Sequence, residues 1–184
     1  MSDAIETIEH NGFTIEIHPD FDPMNPRKEC DNLGTFWTQE RRYNSPDDMP
    51  CASIAESVAK EFGGKASFRR DCLFLAVWKY EHSGVAYRAA ESNPYHCPWD
   101  SGQVGYIFAR KADIRKEYGV ARITAAIREK ALNVLKGEVE AYSKYANGEA
   151  YGYIVKDETG ETVDSCRGFD DMEYCIEEAK SACQ

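Results

Sequence analysis

The sequence predicts an α+β fold, a mostly antiparallel sheet built from hairpins with helices packed on one side. Two observations predict it. Apolar runs of strand length come in pairs around glycine-bearing turns instead of singly between helices, which favours antiparallel pairing. The chain of 184 residues, 42% hydrophobic and 12% aromatic, has enough apolar material for a sizeable core, so residues 1–184 are expected to form one domain.

Taken in order, Gly12 to Ile17 reads as a strand, because Phe13, Ile15 and Ile17 alternate with Thr14 and Glu16. Residues 20–49 follow with Pro23, Pro26, Pro46, Gly34 and many Asp and Asn; they form a long irregular loop in which only Leu33 to Tyr43 suggests a short strand. Its Phe36, Trp37 and Tyr43 argue against disorder. Pro50 is expected to open a helix with Asp47 and Asp48 near its positive end, an apolar stripe of Ile54, Ala55, Val58 and Phe62, and a stop at Gly63-Gly64. Cys72–Tyr80 and Val85–Ala90 form a hairpin around Glu81-His82-Ser83-Gly84, and Gln103–Ala109 adds a further strand. Lys111–Tyr118 reads as a short helix. A long helix follows from Ile123 to Tyr145, in which Ile123, Ile127, Ala131, Leu135, Val139 and Tyr142 recur at spacings of three and four. Tyr151–Lys156 and Thr162–Cys166 make a second hairpin, and a last helix turns Met172, Cys175, Ile176, Ala179 and Cys183 inward.

Charge narrows the function classes. The 32 acids against 22 bases leave a net charge of -10, and an acidic surface forfeits the counterion release that drives non-specific nucleic-acid binding. Direct nucleic-acid binding is therefore not expected. The balance is uneven, however: residues 65–122 carry 10 bases and 6 acids, whereas both flanking regions are acidic. A negative field speeds association with a basic partner. The longest apolar run, Cys72 to Trp78, is far short of the roughly 18 residues of a membrane span, and the acidic start lacks a secretory pattern. A cytoplasmic, non-membrane protein is expected. Seven cysteines with no C-x-x-C spacing argue against a zinc ribbon or thioredoxin motif and for small core hydrophobes such as Cys72 and Cys175.

Three stretches could hold chemistry. Asp20-Phe21-Asp22-Pro23-Met24-Asn25, with Asp31 and Asn32 beyond, gathers hard oxygen ligands, so Asp20, Asp22 and Asp31 are the metal candidates. The calcium-loop pattern fails in detail, since Asn25 stands where glycine is needed and Asp31 where glutamate is. Turn-building is the competing role for these residues. The second stretch, Asn93 to Gln103, packs Cys97, His96, Asp100 and Ser101 between two strands. A cysteine nucleophile needs an imidazole in reach, but neighbours in an extended segment point to opposite faces, so His96 is badly placed to serve Cys97. A rigid loop with Trp99 packed down and Asp100 capping the turn to Gly102 is the structural reading. The third is the basic and aromatic cluster Arg41-Arg42-Tyr43-Asn44, with further bases at Lys65, Arg69, Arg70, Arg110, Lys111, Arg115 and Lys116; such groups bind phosphate or stack on rings, or else pair with the many carboxylates. The usual nucleotide, zinc-protease and hydrolase signatures are absent, and no cofactor is expected.

Two blocks carry a resemblance. Asn25-Pro26-Arg27 leading to Asp31-Asn32-Leu33-Gly34-Thr35 with Arg41-Arg42-Tyr43-Asn44, and Cys97-Pro98-Trp99-Asp100-Ser101-Gly102-Gln103-Val104-Gly105, resemble a widespread group of small proteins of bacteriophages, prophages and other mobile elements. With the Gly148–Gly168 hairpin the likeness covers most of the chain. It implies a genetic setting, a host-cell partner and a role such as anti-restriction or anti-CRISPR inhibition of a nucleic-acid-binding defence complex; it transfers no catalytic residue. The expected function is that of a non-catalytic accessory protein which binds a host protein through an acidic face. Its binding residues are sought among Asp31, Asn32, Arg41, Arg42, Tyr43, Trp99, Asp100 and Gln103. The alternative is a small metal- or cysteine-dependent enzyme using Cys97, His96 and Asp100, with its site between the loops at 20–44 and 93–103.

Overall fold

A computed structural model describes residues 4–183. In chain order the elements are β1 (Glu6–His10), β2 (Phe13–Pro19), α1 (Pro26–Glu29), β3 (Thr35–Thr38), α2 (Ile54–Phe62), α3 (Lys65–Asp71), β4 (Cys72–Glu81), β5 (Val85–Ala90), β6 (Ser101–Arg110), α4 (Lys111–Glu117), α5 (Ala125–Ala146), β7 (Tyr151–Lys156), β8 (Thr162–Phe169) and α6 (Met172–Ser181). The fold is α+β with antiparallel pairing throughout, and the strands divide over two sheets of four, ordered β1-β2-β7-β8 and β3-β6-β4-β5. The chain packs as two compact units, one formed by the residues up to Asn25 together with those from Lys144 onward, the other by Pro26–Ser143.

In the first unit Asn11 and Gly12, both at positive φ (52° and 84°), make the two-residue turn that joins β1 to β2. Asn-Gly is the pair that such a turn favours. β2 then pairs with β7 so that Ile15 lies opposite Val155 and Ile17 opposite Tyr153. All four are buried, together with Cys175 and Ala179 on the inner face of α6 and Cys183 just after it. Each fully buried isoleucine contributes about 1.5–3 kcal/mol. The alternate residues of β2 are polar: Glu16 holds Lys156 at 2.6 Å, and Thr14 donates to Glu9. Asp171 caps α6 by accepting from the Tyr174 N–H at 2.9 Å.

In the second unit the sheet is covered on both faces. Phe36, Leu73, Leu75, Val77, Ile107 and Ala109 face Ile114 of α4 and Ala131, Leu135 and Val139 of α5. The residues between them in register, Trp37, Cys72 and Phe108, face Val58 of α2 and Phe68 of α3. The period of two along β4 and β6 thus serves two cores. This explains why Cys72 to Trp78 reads as a continuous apolar run without alternation.

The second unit differs from the sequence expectation at two helices. α2 begins at Ile54, not at Pro50, because the Ser53 hydroxyl accepts from the Glu56 N–H and donates to its carboxylate, making Ser53 the cap. α3 follows the Gly63-Gly64 stop directly. It escapes a periodicity search because Phe68 is its one buried side chain.

Candidate functional site

The long segment after β2 is built around one arginine. Arg27 opens out of α1 with its side chain 1% exposed and spends all five N–H groups: Nε and one terminal nitrogen on the two oxygens of Asp47 (3.0 and 2.6 Å), the others on Asn32 Oδ1 (2.8 Å), Glu138 Oε2 (2.8 Å) and the Gly34 carbonyl (2.6 Å). The two carboxylates in turn accept backbone N–H groups, Glu138 from Leu33 and Gly34, and Asp47 from Phe36. Burial opposes the guanidinium charge, but the bonds to Asp47 and Glu138 outweigh it and hold Arg27 above the usual arginine range. Gly34 fits because a side chain there would collide with Leu135 and crowd Glu138. Asn32 therefore has a structural post, since it also donates to the carbonyls of Pro26 and Cys30. Asp31 lies by contrast on the wall of a hollow with Asp113, Lys116 and Glu117.

The carboxylates singled out for metal take other parts. Asp20 Oδ1 accepts from the Asp22 N–H at 3.1 Å, an Asx turn. Among the described residues no group of three or more His, Cys, Asp or Glu side chains is disposed to hold a metal ion.

Beyond β3 the chain loops out and returns: Gln39 N–H donates to the Val104 carbonyl, Thr38 N–H to Ser45 Oγ and Asp47 N–H to the Phe36 carbonyl. The loop so pinned carries Arg41, Arg42 and Tyr43 to Trp99, Asp100 and Ser101, and an open hollow of about 530 Å³ lies where they meet. Its floor is a charge cluster built on buried Lys79 and Glu40. Lys79, 8% exposed, donates to Glu40 Oε2 at 2.6 Å and Glu81 Oε2 at 2.8 Å, and its ammonium lies 3.8 Å from the centre of the Tyr43 ring. Glu40, 7% exposed, also accepts from Tyr87 Oη, and Tyr43 Oη donates to Glu81. Burial opposes the Lys79 charge, yet the Glu40 and Glu81 bonds prevail and hold it above the lysine range; the same contact holds Glu81 below the carboxylate range. Burial first, and then the Glu40 charge, push the Tyr87 phenol up.

The rim is different in kind. Arg41 and Arg42 are exposed. Among the described residues neither guanidinium has a hydrogen-bond or ion-pair partner. Trp99 is 92% exposed, so the expectation that it packs down is corrected. Its loop is held from beneath by other groups, with Ser101 Oγ donating to the Cys97 carbonyl (2.5 Å), Asn93 Nδ2 to Ser101 Oγ (3.0 Å) and the Tyr95 ring stacked on Tyr80. Nothing in these contacts needs the indole, which stands free on a rigid base.

Cys97, Asp100 and His82 lie together. The Cys97 thiol donates to Asp100 Oδ2 at 3.3 Å, and His82 Nδ1 is 3.5 Å from the same oxygen. The carboxylate sits between thiol and imidazole, so the thiol–imidazole contact of a cysteine nucleophile is missing. His96 is exposed, lies at a bend, and has no hydrogen bond to Cys97. Gln103 is exposed on β6, its side-chain amide donates to the Gly105 carbonyl at 3.5 Å, and it does not line the hollow.

Of the residues singled out in the sequence, Arg41, Arg42, Tyr43, Trp99 and Asp100 meet at this hollow, while Glu40, Lys79 and Glu81 beneath them were not singled out. The signal available was Lys79 itself, a lysine in β4 right after the apolar run Cys72–Trp78 and directly opposite Tyr87 of β5. Compared with protein-family models, curated proteins and solved structures, the chain matches none.

Proposed function

We propose that the chain is a non-catalytic binding protein that docks on another protein through the rim of this hollow, with Trp99 as its anchor. The observation that carries the reading is an indole 92% exposed beside two exposed arginines whose guanidinium groups have no hydrogen bond or ion pair among the described residues, on loops that an ion cluster around buried Lys79 and backbone hydrogen bonds hold in place. Tryptophan, tyrosine and arginine are the residues in which binding energy concentrates, and a preorganised rim loses little entropy on docking. The net charge of -10 favours approach to a basic partner and weakening of the complex by salt. The resemblance of the two blocks to mobile-element proteins supports a partner in the host cytoplasm, with a nucleic-acid-binding defence complex as the class to test first. Among the described residues no helix is long and apolar enough to cross a membrane.

The enzyme reading draws support from the meeting of the two loops. The Cys97–Asp100–His82 order weighs against it, because the thiol proton points to the carboxylate.

The test is affinity capture from host lysate with the wild-type chain and Trp99→Ala in parallel, at low and high salt, followed by reconstitution with the purified partner. A stoichiometric partner lost with Trp99→Ala and weakened by salt is expected. A partner held equally by both proteins refutes the assignment. Turnover that is abolished by Cys97→Ser but not by Trp99→Ala would establish the enzyme reading instead.

A further inference from the structure

We infer that the cavity between α4 and the start of α5 is a second site, for a small ligand carrying two or more phosphate groups. The cavity, of about 300 Å³, is walled by Lys111, Arg115, Arg122 and Arg128 over an apolar base of Leu73 and Ile123, and no carboxylate lines it.

In a chain with 32 acids and 22 bases, several bases elsewhere are paired with carboxylates. Arg110 holds Glu61 at 2.6 Å, Lys156 holds Glu16 at 2.6 Å, and Lys144 holds Asp170 at 3.2 Å. Arg115, Arg122 and Arg128 do not: among the described residues none of the three guanidinium groups has a hydrogen-bond or ion-pair partner. They are also brought together from separate places, one on α4, one in the turn after it and one in the first turn of α5. Lys111 is fixed by donating to the Arg70 carbonyl at 2.6 Å. Asp71 offsets part of the Lys111 charge, but the three guanidinium groups repel one another, and an anion removes that cost.

The chemistry selects the ligand. A guanidinium fork matches the oxygens of a phosphate two at a time, and three forks with a lysine carry more positive charge than one phosphate group of about -2 offsets. Four positive charges suit a di- or triphosphate. The volume is at the lower end of small-molecule pockets, and Leu73 and Ile123 offer an apolar surface for an attached ring. The amino end of α5 adds to the same sign of field, but the side chains make the selection.

The test is calorimetric titration of the whole chain with inorganic pyrophosphate, orthophosphate and a short DNA duplex, on the wild type, on Arg122→Gln/Arg128→Gln and on Trp99→Ala. Saturable binding of one pyrophosphate, tighter than orthophosphate, is expected, weakened at least about tenfold (about 1.4 kcal/mol) in the double arginine variant. That variant should melt at the wild-type temperature without ligand, because both side chains are exposed, and Trp99→Ala should bind pyrophosphate normally. No saturable heat up to about 1 mM pyrophosphate, or binding unchanged by the arginine substitutions, overturns the inference. So does tighter binding of the duplex than of pyrophosphate, which would make the patch a contact for a nucleic-acid backbone.

Discussion

Replacing Arg27 with methionine removes the group on which the segment from α1 to Asp47 converges. Methionine keeps much of the stem packing and deletes five hydrogen bonds. Two carboxylates then stay behind with side chains only 19% and 10% exposed, Asp47 and Glu138. Removing one partner of a buried pair costs about 3–5 kcal/mol. Because Phe36, Leu33 and Gly34 still donate to these carboxylates, two such losses should not add, and about 3–5 kcal/mol is expected in total. Against a typical domain stability of about 5–15 kcal/mol, that is a large fraction. Arg27→Lys should recover less than half, since one ammonium cannot reach both carboxylates and the Gly34 carbonyl together. Urea unfolding followed by tryptophan fluorescence is the assay, and it is selective: Trp37, Trp78 and Trp99 all belong to the unit Pro26–Ser143. A loss under about 1 kcal/mol for Arg27→Met, or a lysine variant as stable as wild type, would refute the claim that the guanidinium organises the loop.

Other consequences can be measured directly. Lys79→Met should cost about 3–5 kcal/mol by stranding Glu40, and Lys79→Met/Glu40→Gln should be more stable than the single variant; urea unfolding showing the two substitutions to be additive would contradict the floor as described. Gly105→Ala should destabilise the second unit by about 2–3 kcal/mol, because a Cβ there runs into the Trp37 carbonyl and Thr38 backbone of β3; a normal urea midpoint would show that this approach can relax. In a native thiol titration Cys30 and Cys166 should react first, Cys51 and Cys97 more slowly, and Cys72, Cys175 and Cys183 only on unfolding; early labelling of Cys175, identified by peptide mapping, would contradict its burial. Burial raises Cys72 and Cys175 from 9.0 to about 11. Since the folded values lie above the unfolded ones, their contribution is whole below about pH 9 and is lost as pH rises towards 11. Cys175→Val should flatten the fall in stability over that window, followed by circular dichroism, and an unchanged slope would count against the thiol.

The long helix was legible because its stripe repeats at three and four residues, and Ala131, Leu135 and Val139 are all fully buried. The hairpin β4–β5 was legible for a similarly local reason. The strand β1 was missed, since Glu6–His10 is mostly polar and shows no apolar alternation. What could not be read is non-local. Two sheets rather than one follow from β2 pairing with β7 and β3 with β6, partnerships that no window of sequence contains. Arg27 meets carboxylates twenty and more than a hundred residues away. Trp99 was misplaced because large aromatics usually pack, and only the contacts of Ser101, Asn93 and Tyr95 reveal that its loop is held without it.

The first unit is drawn from both sides of the second, and this orders events in time. During synthesis the hairpin β1–β2 emerges early, yet the strand that covers its β2 edge, β7, emerges only after all of Pro26–Ser143 has been made. A lone hairpin is marginal in water, and closing so long a loop is slow. The second unit, continuous in the chain, can mature on the ribosome while Ile15 and Ile17 wait uncovered. The hazard period for aggregation therefore belongs to the early hairpin. A chain released before β7 should deliver a formed hollow, with Trp99 on its rim, attached to an unfinished sheet.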